Sequence, residues 1–273
     1  MRLIGSPGKV TDMADSSEEK LTGGVVNTVV RVGQTVRRTT GPWTPAIHSL
    51  LDHLERVGFP YSPRVLGIDE HDREVLTYIE GTPAMRPWPH VLRCEEGLHT
   101  LGRMLRELTD AVQKFDPPPD AVWRTSPAGS PLPGGSIRHG DMGMWNTIWD
   151  GDRLVGLIDW DFAEPAPPLW DLAQTAWYAV PFYRGEDGWR SCGFTTEPDH
   201  RRRFAALCDA YGAEREAVLD ALVDLQATER HRVATLGAAG IAPFQDFLAR
   251  GDLAELDEEA AWLTARRTSL LSG

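Results

Sequence analysis

Between residues 21 and 80 the apolar positions of the chain alternate or gather in short β-branched runs, and from about residue 90 they recur at helical spacing. The stretch LTGGVVNTVVRVGQTVRR, punctuated by Gly23, Gly24 and Gly33, predicts a hairpin followed by a third strand. GPWTPAIHSLLDHLERVGF predicts a helix: Thr44 as its cap, Pro45 in its first turn, Ile47, Leu50, Leu51 and Leu54 on one stripe, and Gly58 at its end. PRVLGIDEHDREVLTYIEG predicts two more strands around a polar turn. EGTPAMRPWP then reads as a proline-rich connector. A long helix is predicted over about residues 90–113, then a proline-rich loop without periodicity over 116–136, then a hairpin, NTIWDGDRLVGLID. Residues 168–270 are mostly helical in pattern, with stripes such as Val218, Leu222 and Leu225. The polar first twenty residues predict a mobile lead-in. The expected organisation is therefore a lead-in over 1–20, a small antiparallel β-sheet lobe with one helix over 21–80, a connector over 81–90, and a larger, mainly helical lobe over 91–273. That is an α+β chain of two lobes.

Composition narrows the function. A length of 273 residues suits one large domain or two lobes, and 41% apolar residues with ten tryptophans supply a sizeable core. A formal net charge of −12 argues against nucleic acid as a partner, because neutralising phosphates takes a basic face. An acidic surface attracts cationic ligands, although solubility alone also accounts for such a charge. Cys94, Cys192 and Cys208 are widely spaced and form no CxxC pair, which indicates neither a disulfide framework nor structural zinc. MRLIGSPGKV lacks an apolar stretch of signal-peptide length, and no run approaches a membrane span, so a cytoplasmic protein without a membrane partner is expected. Lysine occurs only at positions 9, 20 and 114, so no mechanism can use one in the second half of the chain.

The candidate chemistry lies around the predicted hairpin. Asp150-Gly151-Asp152 is a strong turn signal, and it returns the chain to the end from which it started. Asn146, which enters the first strand, and Asp159, which leaves the second, should therefore lie within a few ångströms of each other. Asp141, in the glycine-bearing stretch RHGDMGMWN, can approach the same point. Magnesium prefers a few hard oxygen ligands together with phosphate oxygens, so Asn146 and Asp159 suit it. Asp141, left off the metal, could accept the proton of an incoming hydroxyl. Phosphoryl transfer needs little beyond positioning, charge neutralisation and such a base.

HGDMGMWN resembles the HGDxxxxN catalytic loop of the aminoglycoside phosphotransferase family, which is related to choline kinase and the protein kinases. LIDWDFAEPAPPLWDLA resembles the same family's metal-binding segment and the aspartate-headed helix that follows it. The resemblance covers roughly residues 20–270 and implies a bilobal protein-kinase-like fold, Mg2+, and ATP or GTP as co-substrate. It implies Asp141 as the catalytic base, Asn146 and Asp159 as magnesium ligands, and His139 as the residue that fixes the loop. Asp171 resembles the aspartate that braces the loop from the next helix. The backbone of Thr77 and Ile79 resembles the hinge that holds adenine, and LTGGVVN, with Gly23 and Gly24, the loop above the phosphates. Two positions depart from the pattern. The usual third-strand lysine is absent, so Arg37, with Arg38 as the lesser alternative, must supply the cation. Ile47 falls where the helix glutamate is expected, so either another acid orients that arginine or phosphate positioning is looser.

Plainer readings stand beside these. Asp161 either holds a second metal ion or supports the site from behind, and Asp171 could be an ordinary helix cap. A glycine pair such as Gly23-Gly24 marks a turn more often than a phosphate site. Trp145 and Trp160 read as core packing, not as a substrate platform. The acidic stretch GDLAELDEEAAW reads as a solvated helix face, or as the lining of a cleft for a polycationic acceptor. GLIDWDFA also resembles an aspartyl-phosphatase nucleophile motif, but that chemistry needs a downstream lysine, and Ala163 stands where threonine or valine is expected. A nucleotide-binding module without catalysis remains the rival within the kinase-like reading. The acceptor is expected to be an aminoglycoside or another cationic small molecule, with a choline-like alcohol, a sugar or another natural product as alternatives.

Overall fold

The computed structural model describes residues 18–21, 29–125, 136–182 and 185–272. The first lobe is an antiparallel sheet of β1 (Glu19–Lys20), β2 (Val29–Val32) and β3 (Thr35–Thr39), the helix α1 (Thr44–Val57), then β4 (Val65–Ile68) and β5 (Arg73–Thr77), in the order β1-β2-β3-β5-β4. β2 and β3 join through a tight turn at Gly33, whose φ of 59° favours glycine. α1 packs through the predicted stripe, with Ile47, Leu50, Leu51 and Leu54 fully buried. Gly58 ends it in the left-handed conformation. Thr44 is the first helical residue and not the cap; its hydroxyl accepts a bond of 2.9 Å from the Gly41 N–H. The polar lead-in was expected to run through residue 20, yet Glu19 and Lys20 pair with Arg31 and Val30, and Arg73 holds Glu18 at 2.8 Å.

The larger part begins with β6 (Thr82–Pro83), α2 (His90–Arg93) and α3 (Glu95–Val112), continues through β7 (Ser136–Arg138), β8 (Thr147–Asp150), β9 (Arg153–Leu157) and β10 (Glu164–Ala166), and ends in α4 (Trp170–Ala179), α5 (Gly185–Ser191), α6 (His200–Tyr211), α7 (Arg215–Ala238), α8 (Phe244–Arg250) and α9 (Asp252–Leu271). The single helix expected over 90–113 is two, because Cys94 is extended (φ −102°, ψ 169°). The turn there lets α2 fold onto the start of α3, where a Cβ on Gly97 would lie 2.4 Å from the Val91 carbonyl oxygen. α3 buries Leu98, Leu101, Met104, Leu105 and Leu108 and packs closely on α6, where a Cβ on Gly102 would meet the Leu207 carbonyl oxygen at 2.7 Å. β8 and β9 form the expected hairpin with Gly151 in its turn, β6 adds to its edge, and β7 pairs with β10. Among the described residues, no helix is long and apolar enough to cross a membrane.

One charged knot fastens α7 to these strands. Glu164, fully buried, accepts from Arg138 at 2.7 Å, from Arg232 of α7 at 2.9 Å and from the Thr125 hydroxyl, while Arg138 also reaches Glu229 at 3.1 Å. Burial alone would raise the Glu164 carboxyl, but Arg138 and Arg232 hold it below its ordinary value of 4.5. A depressed folded-state value gives stability that is present above about pH 4.5 and is lost as the pH falls through the lower folded value. Glu164→Gln should cost about 3–5 kcal/mol at neutral pH, since among the described residues it leaves two buried arginines with Glu229 as the one acid that still bonds them. Denaturant titrations at pH 7 and below pH 4 should show the gap between the variant and the parent protein narrowing in acid.

Candidate active site

The chain leaving β7 is held by α4. The Asp171 carboxylate accepts from the His139 N–H at 2.6 Å and from the Gly140 N–H at 3.1 Å, and the Gln174 side-chain oxygen accepts from the Met142 N–H at 2.9 Å. Gln174 was not singled out in the sequence, because a glutamine on an otherwise apolar helix carries no motif. Gly140 is required here: its φ is +85°, and a Cβ would stand 2.0 Å from the Phe162 carbonyl oxygen. His139 is fully buried, with Nε2 at 3.0 Å from the Ile158 carbonyl oxygen and Nδ1 at 3.2 Å from the Asp141 N–H. Nε2 therefore donates and Nδ1 accepts, which fixes the neutral tautomer. Burial also drives its pKa below the ordinary value. His139 links the loop to the strand end ahead of Asp159 and leaves no free ring nitrogen for acid–base work.

Asp141 lies at the centre. Its carboxylate accepts from the Asn146 side-chain amide at 2.8 Å. The same Asn146 amide also reaches the Asp141 carbonyl oxygen at 2.9 Å, so its own oxygen is left for a cation. Burial, followed by the nearby charge of Asp159, raises the Asp141 carboxyl to about 7. The Ile158 N–H donates to the Asn146 carbonyl oxygen at 2.9 Å, which closes the open end of the hairpin beside Asp159. Asp159 has a left-handed backbone (φ 63°, ψ 65°), and its side chain is 42% exposed, the most open carboxylate of the group. An amide oxygen and a solvent-facing carboxylate fit magnesium, which keeps several waters and phosphate oxygens of its own. Among the described residues, no cluster of three or more His, Cys, Asp or Glu side chains offers a complete protein cage.

Arg38, and not Arg37 as the sequence favoured, is the arginine set against these carboxylates. Neighbouring strand residues face opposite sides, and Arg37 points to Asp69 at 3.6 Å, away from these carboxylates. Arg38 donates to Glu74 at 2.5 Å, to Asp159 at 2.9 Å and to Asp161 at 2.7 Å. Glu74 stands opposite Arg38 in the β3–β5 register, so the orienting acid comes from a strand and not from the helix. Ile47 is in the core; its neighbour His48 bonds the second Glu74 oxygen at 2.9 Å. Burial would raise the Glu74 carboxyl, yet His48 and Arg38 hold it below its ordinary value. Burial also opposes the charge on Arg38, and Glu74, Asp161 and Asp159 together reverse that and raise its pKa. Asp161 is buried between Arg38 and Arg124, the latter at 3.1 Å, so its oxygens serve arginines. A signal for Glu74 existed: it is the lone acid inside the strand REVLT.

Thr77 ends β5, its N–H bonded to the Arg64 carbonyl oxygen at 3.0 Å, and Ile79 lies two residues on, its side chain against Gly156. Gly23 and Gly24 lie outside the described residues. Trp160 is buried, as expected of core packing, but Trp145 is 37% exposed, which corrects that reading. In the acidic stretch of α9, Glu259 accepts from the Trp177 indole at 2.9 Å and Asp257 pairs with Arg230 of α7.

Comparison with known proteins agrees with this arrangement. The phosphotransferase enzyme family matches residues 120–216, which include the whole loop and hairpin. The trifolitoxin immunity protein of Rhizobium leguminosarum bv. trifolii is 40% identical over 201 residues, covering 72% of this chain and 74% of that protein. Among solved structures, a choline/ethanolamine kinase family protein from Mesorhizobium loti is similar with a TM-score of 0.55 and 21% identity, over 91% of this chain and 92% of its own. The GDP complex of aminoglycoside 2'-phosphotransferase-IIIa gives a TM-score of 0.59 at 15% identity, over 92% of this chain and 94% of its own. The fold is thus the bilobal α+β fold of the kinase-like phosphotransferases. The chain belongs to the phosphotransferase enzyme family.

The brace from α4 can be tested without any ligand. Asp171→Ala orphans the amides of His139 and Gly140, and each unsatisfied N–H should cost about 1–3 kcal/mol, read as a lower midpoint in denaturant.

Proposed function

We propose that the protein transfers the γ-phosphoryl group of ATP or GTP to a hydroxyl group of a small molecule, with an aminoglycoside-like or other cationic compound as the acceptor. The observation that carries this reading is the placement of Asp141, a partly buried carboxylate held by Asn146 at 2.8 Å at the hairpin end that bears Asp159. A carboxylate so held suits removal of a hydroxyl proton. Asn146 and Asp159 would hold Mg2+, which when bound neutralises charge on the phosphates. Residues 21–80 would carry the nucleotide, with the Thr77 and Ile79 backbone at adenine, Gly23 and Gly24 above the phosphates and Arg38 beneath them. Residues 81–90 would connect the lobes, and residues 91–273 would bind the acceptor. His139 and Asp171 act on the position of Asp141. Asp161 is better placed to hold Arg38 and Arg124 than to bind a second metal.

The relatives lend support to a reading of cellular role and acceptor. A relative named for immunity to a toxin supports protection of the cytoplasm by phosphorylating a harmful compound. One observation favours a second reading, nucleotide binding without transfer: Arg38 already sits on Asp159.

Incubation with Mg-ATP or Mg-GTP and a panel of aminoglycosides and amino alcohols, followed by product mass, decides between the two. Binding without any phosphorylated product favours the second. Asp141→Asn should lower transfer by about 10²–10⁴-fold and leave nucleotide affinity nearly unchanged; transfer at the parental rate would show the base to be wrongly assigned. Arg38→Lys should weaken nucleotide binding about tenfold by calorimetry, because an ammonium cannot span Glu74 and Asp161 while facing a third partner.

A further inference from the structure

A cavity of about 270 Å3 lies between α3, β7, the start of α4 and the end of α6. None of Arg38, Asp141, Asn146 or Asp159 lines it, so it is separate from the site described above. Its walls are mainly apolar, with Leu105 and Leu108 of α3, Ile137 of β7, and Leu169 and Trp170 at the head of α4. An apolar cavity of about 150 Å3 already takes a benzene molecule, so this one has room for two fused rings.

The polar side chains in its wall decide what such a molecule must offer. Thr109 has one hydroxyl proton and gives it to the Leu105 carbonyl oxygen at 2.9 Å. In the 2.9 Å contact between Thr109 and Tyr211 the tyrosine hydroxyl is therefore the donor. Neither hydroxyl has a proton left. The Asp171 carboxylate is an acceptor as well: its oxygens take the N–H groups of His139 and Gly140, and each has capacity for one more donor. Arg138 directs its guanidinium to Glu164 and Glu229, and Nη1, the nitrogen it leaves unpaired, is sealed from solvent. Ser136 and Gln113 can donate or accept. Thr109, Tyr211 and Asp171 thus present oxygen lone pairs alone, which call for a ligand that donates. Asp171 also gives the cavity a consequence. It braces the loop after β7, is only partly buried, and stands in the cavity wall. A donor arriving from the cavity shares the carboxylate with the two loop amides and weakens its hold on them.

We propose that this cavity binds a flat apolar molecule of two fused rings carrying an N–H or O–H donor, and that its occupant loosens the loop after β7 through Asp171. The inference goes beyond the phosphotransfer reading and does not depend on it.

The test uses the full-length chain and two probes of the same shape: indole, which carries an N–H, and benzofuran, which has an oxygen in its place. By calorimetry, indole should bind about tenfold more tightly than benzofuran, which cannot donate to a carboxylate, and should still bind in excess ADP. Leu108→Trp and Ser136→Phe each fill the cavity from a different element and should weaken indole binding about tenfold or more. The second keeps the fold available for the test, since a half-buried strand position accepts an aromatic. Hydrogen exchange should show the His139 and Gly140 amides exchanging about three- to tenfold faster with indole bound. Absence of indole binding, equal affinity for benzofuran, loss of binding in excess ADP, or full affinity in the filled variants would overturn the site. Unchanged exchange at residues 139 and 140 would overturn the coupling. Should indole bind as described while no acceptor is phosphorylated, the cavity stands and the phosphotransfer reading fails.

Discussion

Arg38 places one guanidinium among three carboxylates, and the site is arranged around that contact. Its Nε and one terminal nitrogen are taken by Glu74 and Asp161, both deeply buried, and of its three acids only Asp159 is open to solvent. Each of these acids would be costly to bury alone, and so would the arginine; together they compensate one another. Lysine could not replace it in this setting, because its single ammonium lacks the planar fork that spans separate acceptors. Where the resemblance leads one to expect a lysine and a helix glutamate, this chain places an arginine and a strand acid. The cation stays on the third strand, its acid moves across to the fifth, and the helix keeps its tie to that acid through His48.

A second level of order comes from the backbone. Asp171 and Gln174 hold three amides of the loop after β7, and the neutral His139 joins that loop to the strand end before Asp159. The glycines at 140 and 143 supply space, the first for the Phe162 carbonyl and the second for the indole of Trp145. Asp159 holds a left-handed conformation that a non-glycine residue adopts at some cost, and such strain is common where a side chain must face a ligand.

Much of this was legible in the chain because it rests on local rules. The Asp-Gly turn, the α1 stripe and Gly58 obey short-range geometry, and the loop and hairpin carry compact motifs. What was not legible depends on distant partners. Which of Arg37 and Arg38 faces the carboxylates is decided by strand parity, and parity depends on where pairing with β5 begins. Glu74 becomes the orienting acid through register alone, and no spacing rule links it to position 38. The break at Cys94 follows from the close approach of α2 to Gly97, since nothing in the periodicity of residues 90–113 interrupts a helix. Trp145 was misread because an aromatic between loop glycines and a strand looks like core, and its exposure depends on how the loop folds back.

The bond between Arg38 and the Asp159–Asp161 segment also joins the two lobes, since β3 belongs to the sheet and the acids belong to the segment after β9. Pulling the lobes apart at that point would separate charges that have little water to receive them, at a cost of several kcal/mol. This ionic contact therefore ties the stability of the sheet lobe to that of the hairpin segment it faces.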